Sequence, residues 1–211
     1  MQQFTLHPKS SIFAVDVSSY ANQRYDPWQM EQIRKGHESG VDVSVYADPK
    51  YSYWQMEQLR LGLESGIDVS VYADPKYDAM QMDEIRQGLE QGVDVSIYAD
   101  PRYNYLQMHQ IFEGLEQGVD VSEYANPEID NKKMLCNKLY LLSCKTLNLN
   151  ELIKMNHFQL DEIESGLESG VNVSAYADPS LSHVEMKKLR KDLIRRKALG
   201  RQGGIKQAKE Y

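Results

Sequence analysis

The chain has 211 residues, of which 41% are hydrophobic and 26% charged, with a formal net charge of −7. This composition excludes a disordered tail, and no apolar run approaches the roughly 18 residues a spanning helix needs. The N-terminus MQQFTLHPKSSIF has no signal-peptide apolar region, so a cytoplasmic location is expected. Two cysteines, Cys136 and Cys144, cannot alone make a disulfide framework or a zinc site. Tyrosine is the outlier, at 14 residues against 4 Phe and 2 Trp, a bias that points to copying.

Residues 1–15 read as an N-terminal cap segment. From there a 26-residue unit recurs, opened by Asp16, Asp42, Asp68, Asp94 and Asp120. Asn172 lies two periods further on, with Thr146 in the same slot between them. Met30, Met56, Met82, Met108, Met134 and Met186 keep the same step, and Leu160 fills the gap. A length held this strictly means that each unit stacks on its neighbour in fixed geometry. The repeats account for the tyrosines: Tyr20, Tyr46, Tyr72, Tyr98, Tyr124 and Tyr176 share one slot, and Tyr25, Tyr51, Tyr77 and Tyr103 another. The array is expected over residues 16–198, with a diverged unit at about 131–156 and a basic, flexible tail over 199–211.

Residues 78–92 show what one unit builds. Asp78 is a good N-cap and Gln81 stands three residues later, a capping box. The same pattern occurs at Asp26/Gln29, Ser52/Gln55, Asn104/Gln107 and Asn156/Gln159, and Pro27 takes the first helical position. Met82, Ile85 and Leu89 form a helical stripe, and Gly92 stands where a left-handed residue ends a helix. Gly36, Gly62, Gly88, Gly114 and Gly166 lie inside these helices, where each costs about 1 kcal/mol relative to Ala. That cost suggests a close approach by the neighbouring backbone; early fraying of the helix end is the alternative.

The segment VDVSIYADP is ambiguous. Val93, Val95 and Ile97 alternate like a strand, but Asp94 can cap a short helix and Val93 can staple onto Tyr98. The slot holding Ser19, Val45, Val71, Ile97, Glu123 and Ala175 varies most and reads as exposed, which favours a one-turn helix. The expected fold is all-α: an α-solenoid of about seven helix–short-helix repeats with a basic C-terminal helix. The diverged unit is more apolar around Leu139 to Leu142. It is expected to thicken the core or bend the superhelix, with Cys136 and Cys144 as buried small hydrophobes.

Two slots carry aromatic residues. Trp28, Trp54, Met80, Leu106, Phe158 and Val184 share one, expected to pack between repeats. One position earlier stand Pro27, Tyr53, Ala79, Tyr105, His157 and His183, expected to be exposed. Tyr53 and Tyr105 are therefore candidate partner anchors, with the exposed slot of Val45, Val71, Ile97 and Glu123. Charge is divided too: residues 185–211 carry +7 and the preceding 184 carry −14. Lys187, Lys188, Arg190, Lys191, Arg195, Arg196 and Lys197 form the basic end. It reads either as a polar cap on the last repeat or as a nucleic-acid or acidic-partner surface over residues 187–209.

Regular carboxylates along the array suggest mimicry of DNA phosphates. Against this, Asp42 caps a helix, Asp48 precedes Pro49, and the Glu57/Arg60/Glu64, Glu31/Arg34/Glu38 and Asp83/Arg86/Glu90 triads read as a solvated face. The five histidines sit in unrelated slots with no metal-ligand spacing, and no catalytic or cofactor motif is present. No cofactor is expected, and the chain reads as a non-enzyme.

The units D-V-S-x-Y-A-D-P-x-Y and Q-M-x-x-I-R-x-G-L-E-x-G resemble short repeats in proteins of Firmicutes phages and mobile elements, including large polyvalent and antirestriction-type proteins. The resemblance covers about residues 15–190 and departs at 131–155 and in the basic tail. It implies an intracellular bacterial or phage setting and interference with host defence. The reading that results is a scaffold that binds a protein partner across its repeats, with a host defence protein occluded. A DNA mimic filling a nucleic-acid groove, and nucleic-acid binding through the basic end, are the alternatives.

Overall fold

A computed structural model describes residues 25–207, with side chains through residue 199. The cap segment 1–15 and residues 16–24 of the first copy lie outside the described residues, as do residues 208–211. The described residues hold eight α-helices and five single-turn 3-10 helices, and no strand. The chain divides into two compact units, Met1–Val95 and Ser96–Tyr211. The first contains α1 (Pro27–Ser39), α2 (Tyr53–Glu64) and α3 (Ala79–Glu90). The second contains α4 (Tyr105–Glu116), α5 (Asn131–Leu142), α6 (Leu149–Lys154), α7 (His157–Glu168) and α8 (His183–Gln207). Within each unit consecutive helices pack side by side, α1 on α2 on α3, and α4 on α5 on α7 on α8, with α6 against α5. The fold is an all-α helical repeat.

Each repeat starts and stops where its sequence directs. In α3 the Asp78 carboxylate accepts from the Gln81 amide, and Gln81 Oε1 accepts from the Asp78 amide at 2.7 Å. The same reciprocal box opens α1, α2, α4 and α7. Gly40, Gly66, Gly92, Gly118 and Gly170 follow the helices with φ between 61° and 74°, the left-handed region that glycine enters without strain. The ambiguous segment is a 3-10 turn: Val43–Val45, Val69–Val71, Val95–Ile97, Val121–Glu123 and Val173–Ala175. The Asp42, Asp68 and Asp120 carboxylates accept from the amides of Ser44, Ser70 and Ser122 at its start.

The mid-helix glycines are explained by a side chain, which corrects the expected backbone approach. The Tyr46 ring, fully buried, lies over Gly36, and its hydroxyl donates to the Gln32 carbonyl at 3.0 Å. A Cβ on Gly36 would overlap that hydroxyl and stand 2.8 Å from Val43 Cγ1. Tyr72 over Gly62, Tyr124 over Gly114 and Tyr176 over Gly166 repeat the arrangement. Burying a ring of this size gains about 2 kcal/mol or more, which exceeds the ~1 kcal/mol glycine penalty.

A second device joins neighbouring repeats. While Oε1 of the capping glutamine holds its own helix start, its Nε2 donates to two carbonyls of the next loop. Gln29 reaches Pro49 and Tyr51 at 3.3 and 2.6 Å, and Gln55 reaches Pro75 and Tyr77 at 3.2 and 2.5 Å. Gln107 and Gln159 do the same in the second unit. One buried amide thus satisfies groups in both repeats, which otherwise would be costly orphans.

The arginine triads are also joints, not a solvated face. The Arg60 side chain is 9% exposed, and its Nε donates to Gln32 of the preceding repeat at 3.0 Å. Arg86 does the same to Gln58, also at 3.0 Å. Ser39 and Ser65 bond Glu64 and Glu90 across the same joints. Only the Arg34 side chain, 42% exposed, keeps the solvated arrangement with Glu31 and Glu38.

In the diverged stretch the devices change together. Tyr140 occupies the glycine slot, and Asn150, which is exposed, occupies the slot of the buried tyrosines. The 3-10 turn becomes α6, capped by Asn148 rather than by Thr146. Lys133 stands in the capping-glutamine slot, and the stitch is made instead by Lys132, whose Nζ donates to the Ile153 carbonyl at 2.8 Å. Leu135, Cys136, Leu139, Leu147, Leu152 and Met155 are buried in one cluster with α7 residues. Burial pushes the Cys136 thiol up to about 11. Cys144 is not buried as expected. It is exposed in the left-handed glycine slot with φ 54°, where its side chain points away from the core.

Helix α8 runs to Gln207, past residue 198 where a tail was expected. Its stop signal is missing, because Arg196 stands in the left-handed-glycine slot, and Asp192 replaces the interior glycine. With Arg196 rather than a glycine at the repeat's stopping position, the helix continues past it.

Candidate protein-docking surface

The slot expected to pack between repeats instead faces solvent. Trp28 is 66% exposed, Trp54 54%, Met80 58%, Leu106 41%, Phe158 62% and Val184 62%. The reason lies in the capping box. Its glutamine, one residue further on, is the side chain that turns into the joint, so its neighbour turns outward. Six copies nevertheless carry a large apolar side chain there, and Lys132 alone departs among the described residues.

Around Trp28 and Trp54 the surface becomes a groove. Tyr53, the half-buried member of the preceding slot, lies between the indoles, with ring centroids 6.0 Å from Trp28 and 4.5 Å from Trp54. Glu31, Gln32, Lys35 and Glu57 complete a depression of about 500 Å³. In the second unit Phe158 stands 6.3 Å from the His157 ring and 5.4 Å from the His183 ring. Tyr105 is 36% exposed, beside Leu106.

The other expected partner-facing slot is also at the surface. Val45, Val71 and Ile97 are between 36% and 38% exposed, and Glu123 is exposed and paired with Lys145 at 3.2 Å. The structure brings Trp28, Tyr53 and Trp54 together as one surface.

The basic end resolves into two kinds of residue. Arg190 Nε donates to Glu162 at 2.8 Å, which is the Arg60–Gln32 joint with a carboxylate as acceptor. Lys197 Nζ donates to the Ser169 and Gly170 carbonyls and so closes the C-terminus of α7. Arg196 pairs with Asp192 at 2.6 Å. Lys187, Lys188, Lys191 and Arg195 are exposed. The last three line a groove on α8 with Leu181 and Leu189.

Most of the regular carboxylates are occupied within the chain. Asp42, Asp68 and Asp120 are held below the usual carboxylate range by hydrogen bonds from Ser44, Ser70 and Ser122. Asp48, Asp74, Asp100 and Asp178 accept from backbone amides two residues on.

One cluster was missed in the sequence. Lys138 Nζ, whose side chain is fully buried, meets Glu113 at 2.5 Å and Glu164 at 2.8 Å, tying α4, α5 and α7. Burial alone would raise Glu113. Hydrogen bonds from His109 and Lys138 outweigh it and bring the carboxyl down to about 2. The signal was available, since Lys138 and Glu164 are opposite charges in the same slot of consecutive units. A buried lysine held between two carboxylates of neighbouring helices reads as a joint.

Among the described residues no group of three or more His, Cys, Asp or Glu could hold a metal ion, and no helix is long and apolar enough to cross a membrane. No known protein family, curated protein or solved structure matches the chain.

Proposed function

We propose that the chain is a non-enzymatic repeat scaffold that binds a protein partner through the exposed apolar slot at the start of each long helix. The observation that carries this is the slot itself. An apolar side chain is kept in six copies at a position 41% to 66% open to water, where it contributes little to the fold. Covering the open part of one tryptophan is worth about 2–3 kcal/mol to an interface. Aromatic side chains in a repeated row are the residue type that dominates binding energy at protein interfaces. The resemblance to phage and mobile-element repeats makes a host defence protein the partner class, blocked by occlusion.

The DNA-mimic reading draws less support, because the aspartates that recur most regularly are engaged in caps and turns. Capture from a bacterial lysate, compared between the wild type and Trp28→Ser/Trp54→Ser/Met80→Ser, tests the proposal. A protein captured by the wild type and lost with the triple variant is expected, with weak dependence on salt. Capture that survives the triple substitution and collapses as salt rises would replace docking with mimicry.

A further inference from the structure

The first unit pairs each outward apolar residue with a carboxylate, which the second unit does not do consistently. Trp28 is followed by Glu31, Trp54 by Glu57 and Met80 by Asp83, each three residues on and therefore on the same helix face. The corresponding pairs in the second unit are Leu106/His109, Lys132/Leu135, Phe158/Asp161 and Val184/Lys187. Residues 25–95 carry 14 acidic and 6 basic side chains, a net −8.

From this charge and ring arrangement we infer that the segment docking in the Trp28–Trp54 groove is a basic stretch of polypeptide. Its Lys or Arg side chains lie over the indoles and pair with Glu31 and Glu57. The inference rests on the protein-docking reading and names the partner's chemistry. A ring face and a carboxylate both attract a cation, and here they line one groove. Glu57 meets Arg60 only at 3.8 Å, so its oxygens keep acceptor capacity toward the groove. Glu31 is already held by Arg34 at 2.6 Å, so Glu57 is the carboxylate with more capacity for a cation, and an acidic ligand would meet both carboxylates with Lys35 as the cation lining the groove. An uncharged apolar segment would cover the carboxylates without replacing their water.

The test uses the full chain and three labelled synthetic peptides, Arg–Gly, Ser–Gly and Glu–Gly repeats of equal length. Binding is read by peptide anisotropy, and the two tryptophans report in the same mixture. The Arg–Gly peptide alone is expected to bind, to change the tryptophan emission and to weaken as salt rises. Trp54→Leu, which keeps an apolar surface but removes the ring, is expected to weaken it about tenfold, as is Glu31→Gln with Glu57→Gln. These side chains lie at the surface, and circular dichroism confirms that the variants fold. Equal binding of the Ser–Gly or Glu–Gly peptide, or full affinity in Trp54→Leu, overturns the inference. A chain that captures a protein through the row but ignores the Arg–Gly peptide overturns it and leaves the docking reading standing. A chain whose row captures no protein and binds no peptide overturns both.

Discussion

In the first unit Arg60 of α2 and Arg86 of α3 each reach a glutamine 28 residues earlier, whereas in the second unit the same slot holds Phe112, Lys138, Glu164 and Arg190. The first unit copies one joint. In the second a lysine between two carboxylates and an arginine–glutamate pair take its place, and Phe112 is a buried apolar side chain. The contrast shows what stacking requires. A joint tolerates more than one chemistry when both sides suit each other, as Arg60 with Gln32 and Arg190 with Glu162 show in equivalent slots. It does not tolerate one side changing alone, because buried polar groups and filled space have no slack.

The largest expected effect breaks the comparison at its sharpest point. Lys138→Met leaves the partly exposed Glu113 and Glu164 without their shared cation, and should cost about 2–3 kcal/mol in urea unfolding. Arg86→Met in the first unit removes a side chain that is 15% exposed and should cost about 1 kcal/mol. Equal costs would mean that the joints are interchangeable.

Next in size is Gly62→Ala, whose Cβ would overlap the Tyr72 hydroxyl and stand 2.8 Å from Val69 Cγ1. The expected loss is about 2 kcal/mol, despite alanine's better helix propensity. Adding Tyr72→Phe removes the hydroxyl and should restore part of it. A neutral or stabilising Gly62→Ala would return the fraying explanation for this slot.

Acid should separate the two units by a smaller margin. Glu113 has a folded value of about 2 against an ordinary value of 4.5, so its depressed carboxyl supplies stability above pH 4.5. That stability is lost as pH falls toward about 2. Thermal melts across this window should fall more steeply for the wild type than for Lys138→Met, which lacks one of the two partners. A modest effect is expected at Gln55→Leu, which loses the helix cap and the stitch together, at about 1–2 kcal/mol by the same unfolding measurement.

Element by element, the sequence was most legible where the backbone itself decides. Capping boxes and left-handed glycines depend on a few neighbouring residues, so Asp78, Gln81 and Gly92 marked their helix in advance. What could not be read was direction. Trp28 and Gln29 are adjacent, and either could have turned inward. Hydrophobicity favoured the tryptophan, but the glutamine amide can serve a helix start and two loop carbonyls at once, which an indole cannot. Arg60 misled for the same reason: its spacing to Glu57 and Glu64 lies within one helix, while its partner Gln32 is in another repeat. The Lys138 cluster required reading one slot across several copies rather than along one.

The central claim is that the slot at the start of each long helix faces solvent and is available to a partner. Trp28 and Trp54 are the only tryptophans in the chain, and both occupy that slot. Intrinsic fluorescence with acrylamide quenching therefore tests the claim without interference. Emission close to that of indole in water, quenched fully by acrylamide, is the predicted result. A blue-shifted emission shielded from acrylamide would place the indoles between repeats and contradict the account.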